Sequence, residues 1–158
     1  MKAVLISIHP KWVEKIASGK KTIEVRKTRP KIKTPFKCYI YETKGAFSDF
    51  NGDTNKLSIA MTLRNCGKVI GEFICDRIDK IPYLWEYPEL GYDLDDDQQE
   101  ETCLTRKETE EYGKRKPLYG WHISDLKIYD KPKELSEFKN LKGEPITRAF
   151  QSWGYVEI

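Results

Sequence analysis

The sequence has no long hydrophobic run and few of the residues that build metal sites. It lacks any stretch of about 18 apolar residues, which predicts that no segment spans a membrane. The apolar run within residues 1–10 is too short for a signal peptide. The two histidines, His9 and His122, complete no spaced ligand set. We therefore predict a cytoplasmic protein that holds no metal and needs no cofactor.

Cysteine is also scarce, and none of the four cysteines forms a C-x-x-C pair. Cys38 and Cys75 lie inside apolar, strand-like runs, which indicates buried, reduced thiols rather than ligands or disulfides. With 158 residues and 39% hydrophobic content, the chain is sufficient for one core. We expect a single domain over residues 1–158, with an insert at about 44–66 where the pattern weakens.

Charge is distributed unevenly along the chain. Residues 1–37 carry eleven lysines and arginines against Glu14 and Glu24, whereas residues 86–111 carry eleven acidic residues against Arg106 and Lys107. A basic segment of this kind attracts phosphate-bearing partners. The alternative is that the basic and acidic segments fold against each other, so that their charges largely cancel.

Short strands outnumber helices in the periodicity of the sequence. Pro10 fits the first position of a helix that Gly19 ends, and Thr105 with Glu108 forms a capping box for a second helix, ended by Gly113. Residues 82–101 are predicted to form an aromatic and then acidic loop, and Pro132 to start a helical turn. The predicted strands cover 4–8, 22–26, 36–42, 67–78, 118–129 and 154–158. The pattern indicates an α+β fold, a small curled barrel with short helices at its ends.

The segment from Ser18 to Lys27 joins the first helix to the second strand. Within it, residues 22–26 alternate polar and apolar, so that Ile23 and Val25 face the core. Thr22, Glu24 and Arg26 then share the opposite face, with Lys21 at the corner after the glycine turn. This arrangement presents a carboxylate and two cations together. A solvated strand face carrying an ion pair is the alternative.

Several of these residues together resemble the ASCH family of the PUA-like superfamily. The resemblance rests on Ser7-Ile8 with Pro10, the string Gly19-x-Lys21-x-x-Glu24-x-Arg26, the strand at 67–73, and the ending Gln151-Ser152-Trp153. It implies a PUA-like small mixed β-barrel that binds RNA or nucleotides in a cleft beside the first helix. Some small members are amidohydrolases that remove the acetyl group from N4-acetylcytidine. Their lysine is matched by Lys21, but Glu24 stands at the position of their threonine.

The sequence thus predicts an RNA- or nucleotide-binding protein. We expect Lys21, Glu24, Arg26, Ser7 and Trp153 to contact the ligand, with aromatic side chains available to stack on unpaired bases. The alternative is a hydrolase acting on a modified nucleoside or on nucleic acid, in which Lys21 and Glu24 would be catalytic.

Two further alternatives concern the middle of the chain. The aromatic segment at 83–87 is an alternative surface for a protein partner. The run Asp95-Asp96-Asp97 could hold Mg²⁺, although a solvated acidic loop is the favoured interpretation.

Overall fold

The computed structural model describes residues 1–44 and 67–158, so the predicted insert at 44–66 lies almost wholly outside the described residues. Six strands and three α-helices follow one another in the described ranges, with one 3₁₀ turn at Leu135–Glu137. The strands are β1 (Lys2–Ile8), β2 (Ile23–Arg26), β3 (Phe36–Glu42), β4 (Lys68–Ile81), β5 (Leu118–Lys133) and β6 (Trp153–Glu157). The helices are α1 (Pro10–Ala17), α2 (Asp96–Thr102) and α3 (Arg106–Gly113). Within the described ranges, no helix is long and apolar enough to cross a membrane.

The six strands form one mixed sheet in the order β2-β5-β4-β3-β1-β6. β1 pairs in parallel with β3 and antiparallel with β6, whereas β2 pairs antiparallel with β5. Gly71 in β4 lies so near β5 that a Cβ there would fall 2.5 Å from the Lys127 carbonyl oxygen. A side chain at this position would collide with the neighbouring strand, so the close approach of the two backbones requires glycine. The sequence prediction of a mixed α+β fold is confirmed, while closure of the sheet into a barrel stays a prediction.

The chain forms two compact units, each with its own hydrophobic cluster. Within the described residues, the first unit comprises 1–14, 37–44, 67–73 and 125–158, and the second comprises 15–36 and 74–124. The core of the first unit includes Ala3, Leu5, Val69, Phe138, Ile146 and Val156. The core of the second includes Ile23, Val25, Ile81, Tyr83, Tyr92, Leu94 and Leu118. The single-domain expectation for 1–158 stays a prediction.

Two element predictions were wrong. Residues 96–101, the end of the predicted loop, lie in helix α2, because Asp95 accepts the Gln98 backbone N–H at 2.8 Å and completes a capping box. The acidic run is thus the start of a helix, and no metal-binding cluster of His, Cys, Asp or Glu occurs in the described part of the chain. The helical turn predicted to start at Pro132 starts later, as the 3₁₀ turn Leu135–Glu137, because Pro132 lies inside β5, which continues to Lys133.

Candidate functional site

Lys21 lies in the short connection between helix α1, which ends in a glycine turn, and the start of β2. The Gly19 N–H donates to the Ile16 carbonyl and the Lys20 N–H to the Lys15 carbonyl, both at 3.0 Å, which is the Schellman pattern. Gly19 takes a φ of +82°, a conformation that glycine adopts without steric cost. The predicted connection, a helix ended by Gly19 and followed directly by a strand, is confirmed.

The alternating pattern of β2 sorts its side chains as the sequence predicts. Ile23 and Val25 are buried in the core of the second unit. Glu24 lies opposite Trp121 on β5, and Arg26 lies opposite Tyr119, so these four side chains share the other face. That face is covered: Glu24 is 5% exposed, and Trp121 is fully buried. The alternative of a solvated strand face is therefore wrong for Glu24.

Lys21, Glu24 and Arg26 form a continuous ionic cluster. The Lys21 Nζ lies 3.3 Å from Glu24 Oε1, and an Arg26 terminal nitrogen donates to Glu24 Oε2 at 2.9 Å. The Arg26 Nε reaches the same oxygen at 3.3 Å. Lys21 is only 2% exposed, and its ammonium also donates to the Thr102 carbonyl oxygen at 2.5 Å. Two cations around one carboxylate leave the cluster with a net positive charge.

The neighbouring cations Arg26 and Lys21 stabilise the ionised form of Glu24. Burial disfavours the carboxylate and is the largest single influence, but the charges and hydrogen bonds of Arg26 and Lys21 outweigh it. The pKa of Glu24 consequently lies below its ordinary value near 4.5. At neutral pH the cluster contains an ionised carboxylate that aligns the Arg26 guanidinium.

A buried polar network at the end of α2 holds the Thr102 carbonyl in place. The Gln99 side chain donates to the Leu104 carbonyl at 2.7 Å and to the Thr109 hydroxyl at 2.9 Å. The Thr102 hydroxyl donates back to the Gln99 carbonyl at 2.6 Å. Sequence reasoning missed Thr102, because a backbone carbonyl 81 positions away from Lys21 leaves no sequence signal.

Arg26 stands at the edge of the cluster, where its side chain is 12% exposed. Beside it lies Tyr112 from α3. Burial raises the pKa of the Tyr112 phenol, with Arg26 opposing this rise and Glu24 adding to it, so both charges lie near the hydroxyl. The Lys27 ammonium lies 4.8 Å from the centre of the Tyr112 ring. Arg26 is thus the member of the cluster nearest to a surface of mixed aromatic and basic character.

The two other predicted ligand residues, Ser7 and Trp153, belong to the first unit. The Ser7 hydroxyl donates to the Phe150 carbonyl at 2.6 Å, and Ser7 is 7% exposed. Trp153 begins β6 and meets Tyr155 edge to face, with 5.5 Å between ring centres. Both have structural contacts, and their part in ligand binding stays a prediction.

Comparison with known proteins agrees with the fold and the sequence motifs. The sequence model of the ASCH domain matches residues 6–139, and the chain belongs to the ASCH domain family. The solved structures that resemble it include ASCH from Zymomonas mobilis, with a TM-score of 0.64, and a tyrosine-to-phenylalanine mutant of ZmASCH from the same organism, with 0.65. Each is 18% identical; the alignments cover 98% and 99% of this chain and 87% and 91% of those chains, respectively. Comparison with curated protein sequences gives no significant match.

Proposed function

We propose that this ASCH domain binds RNA or a nucleotide through the cluster of Lys21, Glu24 and Arg26. One observation supports the proposal above all: a buried, ionised Glu24 orients a partly exposed Arg26 guanidinium while Lys21 leaves the group net positive. A guanidinium fixed in this way can bind a phosphate or the edge of a guanine with two parallel hydrogen bonds. Family membership is consistent with such a ligand.

The test is binding of a labelled single-stranded RNA, followed by fluorescence anisotropy, to the wild type and to Arg26→Ala and Arg26→Lys. We expect Arg26→Ala to weaken binding about tenfold to a hundredfold, because a two-pronged contact contributes about 1–3 kcal/mol. Arg26→Lys keeps the positive charge but cannot donate two parallel hydrogen bonds. Its affinity for RNA should therefore lie between those of the wild type and Arg26→Ala.

Arg77→Ala is the matched control. Arg77 also pairs with a carboxylate two residues away, Asp79, at 3.1 Å, but its side chain is 62% exposed on β4. A folded Arg26→Ala protein that binds as tightly as the wild type would refute the proposal. An equal loss of RNA affinity in Arg77→Ala would show that an exposed arginine elsewhere contributes as much as Arg26, which would also refute the proposal.

A hydrolase is a second candidate, supported by the buried Lys21–Glu24 pair at 3.3 Å. An ionised carboxylate beside an ammonium is an acid–base pair that could serve cleavage of a modified nucleoside such as N4-acetylcytidine. Glu24 replaces the threonine of the amidohydrolases that the sequence resembles, so the pair itself would have to activate water. Chromatographic detection of cytidine, lost in Glu24→Gln, would support this candidate, whereas no product from the wild type would remove it.

Two broader expectations accompany the proposal. One is a PUA-like barrel, supported by the mixed six-stranded sheet. The other is a reducing, cytoplasmic location, supported by the buried thiols of Cys38 and Cys75. Fractionation of the cells that make the protein would test the second expectation.

A further inference from the structure

A cleft of about 430 Å³ opens where α3 ends and β5 begins. It is lined by Lys27, Tyr112, Gly113, Lys114, Lys116, Pro117 and Tyr119. No aspartate or glutamate is among these seven lining residues, all of which lie in the described part of the chain. The cleft therefore combines three cations with two aromatic rings, and its volume lies within the usual range of ligand sites.

The three lysines come from two separate chain segments. Lys114 and Lys116 follow the C-terminus of α3, where cations would in any case complement the helix dipole. That effect does not account for Lys27, which arrives from the end of β2. Lys114 and Arg115 also adopt left-handed φ angles of 50° and 69°, which glycine takes at lower cost. The segment thus keeps basic side chains at positions where its backbone favours glycine.

The aromatic rings connect the cleft to the ionic cluster. Tyr119 lies directly opposite Arg26 in the β2–β5 ladder, so the two side chains project from the same face. Tyr112 lines the cleft, and its hydroxyl is close enough to Arg26 and Glu24 to interact electrostatically with both. A ligand held at Arg26 can therefore continue along the lysines without crossing an acidic side chain of the lining set.

We infer that this cleft binds the sugar–phosphate backbone of a single-stranded oligonucleotide, with Lys27, Lys114 and Lys116 on the phosphates. Tyr112 and Tyr119 offer faces on which unpaired bases stack. The inference rests on the proposed function and makes it more specific: the ligand is a strand of several nucleotides, and a free nucleotide occupies only the part at Arg26.

The test compares wild type with the triple variant Lys27→Gln, Lys114→Gln and Lys116→Gln. The matched control, Lys131→Gln, Lys139→Gln and Lys142→Gln, removes three exposed lysines elsewhere. Binding of a labelled RNA octamer and of cytidine monophosphate is measured over a range of NaCl concentrations. For the octamer, we expect the slope of log affinity against log salt to become shallower by about 2, at about 0.7 for each lost phosphate contact. Affinity for the mononucleotide should change far less, and the control should behave as the wild type.

Other outcomes separate the two proposals. An unchanged slope for the octamer in the cleft variant, or an equal change in the control, overturns this inference while leaving a site at Arg26 intact. Octamer binding that depends on the cleft lysines but survives Arg26→Ala supports the cleft and refutes the cluster. A triple Lys→Arg variant at the same positions should retain the slope; its failure to do so would overturn the inference, because phosphate contacts need only the charge. Equal affinity for duplex RNA would overturn the commitment to a single strand.

Discussion

A buried lysine–glutamate pair in the second unit can be compared with a more exposed one in the first, and these two pairs differ in burial rather than in the groups that meet. In the second unit, Lys21 and Glu24 are 3.3 Å apart, with side chains 1% and 6% exposed. In the first unit, Lys37 and Glu72 are closer, at 2.9 Å, but their side chains are 38% and 19% exposed. The shorter contact is the one that water screens, so distance alone does not rank their contributions to stability.

The pairs also differ in what surrounds them. Glu24 receives a second cation, Arg26, and Lys21 is capped by a backbone carbonyl. Glu72 instead accepts a hydrogen bond from the Tyr129 hydroxyl at 2.8 Å. In both carboxylates the pKa is lowered, although burial acts in the opposite direction. The buried cluster is therefore the one in which loss of a single partner leaves charges without water.

The largest expected effect is that of Lys21→Met compared with Lys37→Met. Breaking a buried ion pair costs up to about 3–5 kcal/mol. In Lys21→Met, Glu24 keeps its contact with Arg26, but the buried carboxylate loses one of its two cations and the Thr102 carbonyl loses the lysine donor. Loss of an exposed pair costs about 0–1 kcal/mol. Urea unfolding followed by circular dichroism measures both. Equal costs would show that the buried cluster is hydrated and would remove the contrast between the two pairs.

A smaller effect is expected in the acid range, with Glu24→Gln and Glu72→Gln. A carboxyl whose pKa is lowered on folding adds stability above its unfolded pKa, near 4.5, and loses it as pH falls through the folded pKa. The wild type and Glu24→Gln should therefore differ most in free energy of unfolding at neutral pH and converge as the pH falls from 4.5 through the lower, folded pKa of Glu24.

The Glu72→Gln variant should show the same convergence from a smaller starting difference, because its carboxyl is partly solvated. Urea unfolding at a series of pH values provides the comparison. A difference between the wild type and Glu24→Gln that persists undiminished in acid would contradict the assignment of an ionised Glu24.

Local signals in the sequence predicted much of this arrangement. Gly19, the alternation from Thr22 to Arg26, and the capping box of Thr105 each specify a conformation within a few residues. Helix α2 escaped prediction because all seven of its residues are polar and show no apolar periodicity, although Gln99 and Thr102 are buried. β5 also continues past Pro132 to Lys133, so the chain stays extended where the proline alone favours a turn.

The burial of the candidate site depended on distant parts of the chain. The sequence predicted that Lys21, Glu24 and Arg26 would converge, but an exposed and a buried cluster share the same spacing. What decides between them is the Thr102 carbonyl from α2 and the Trp121 ring from β5. The lysine cleft was also missed, because Lys27 and Lys116 are far apart in sequence and meet only through folding.

The smallest expected effect, a few tenths of a kcal/mol, concerns salt and sharpens the comparison between the pairs. Raising NaCl from about 0.1 M to about 1 M shortens the screening length from about 10 Å to about 3 Å. The cost of Lys37→Met should then shrink toward zero, because that pair lies partly in solvent. The cost of Lys21→Met should stay nearly constant, since ions do not reach a side chain that is 1% exposed. Urea unfolding of the wild type and both variants at the two salt concentrations measures the difference, and a parallel decline would mean that the ionic atmosphere reaches Lys21 as readily as Lys37.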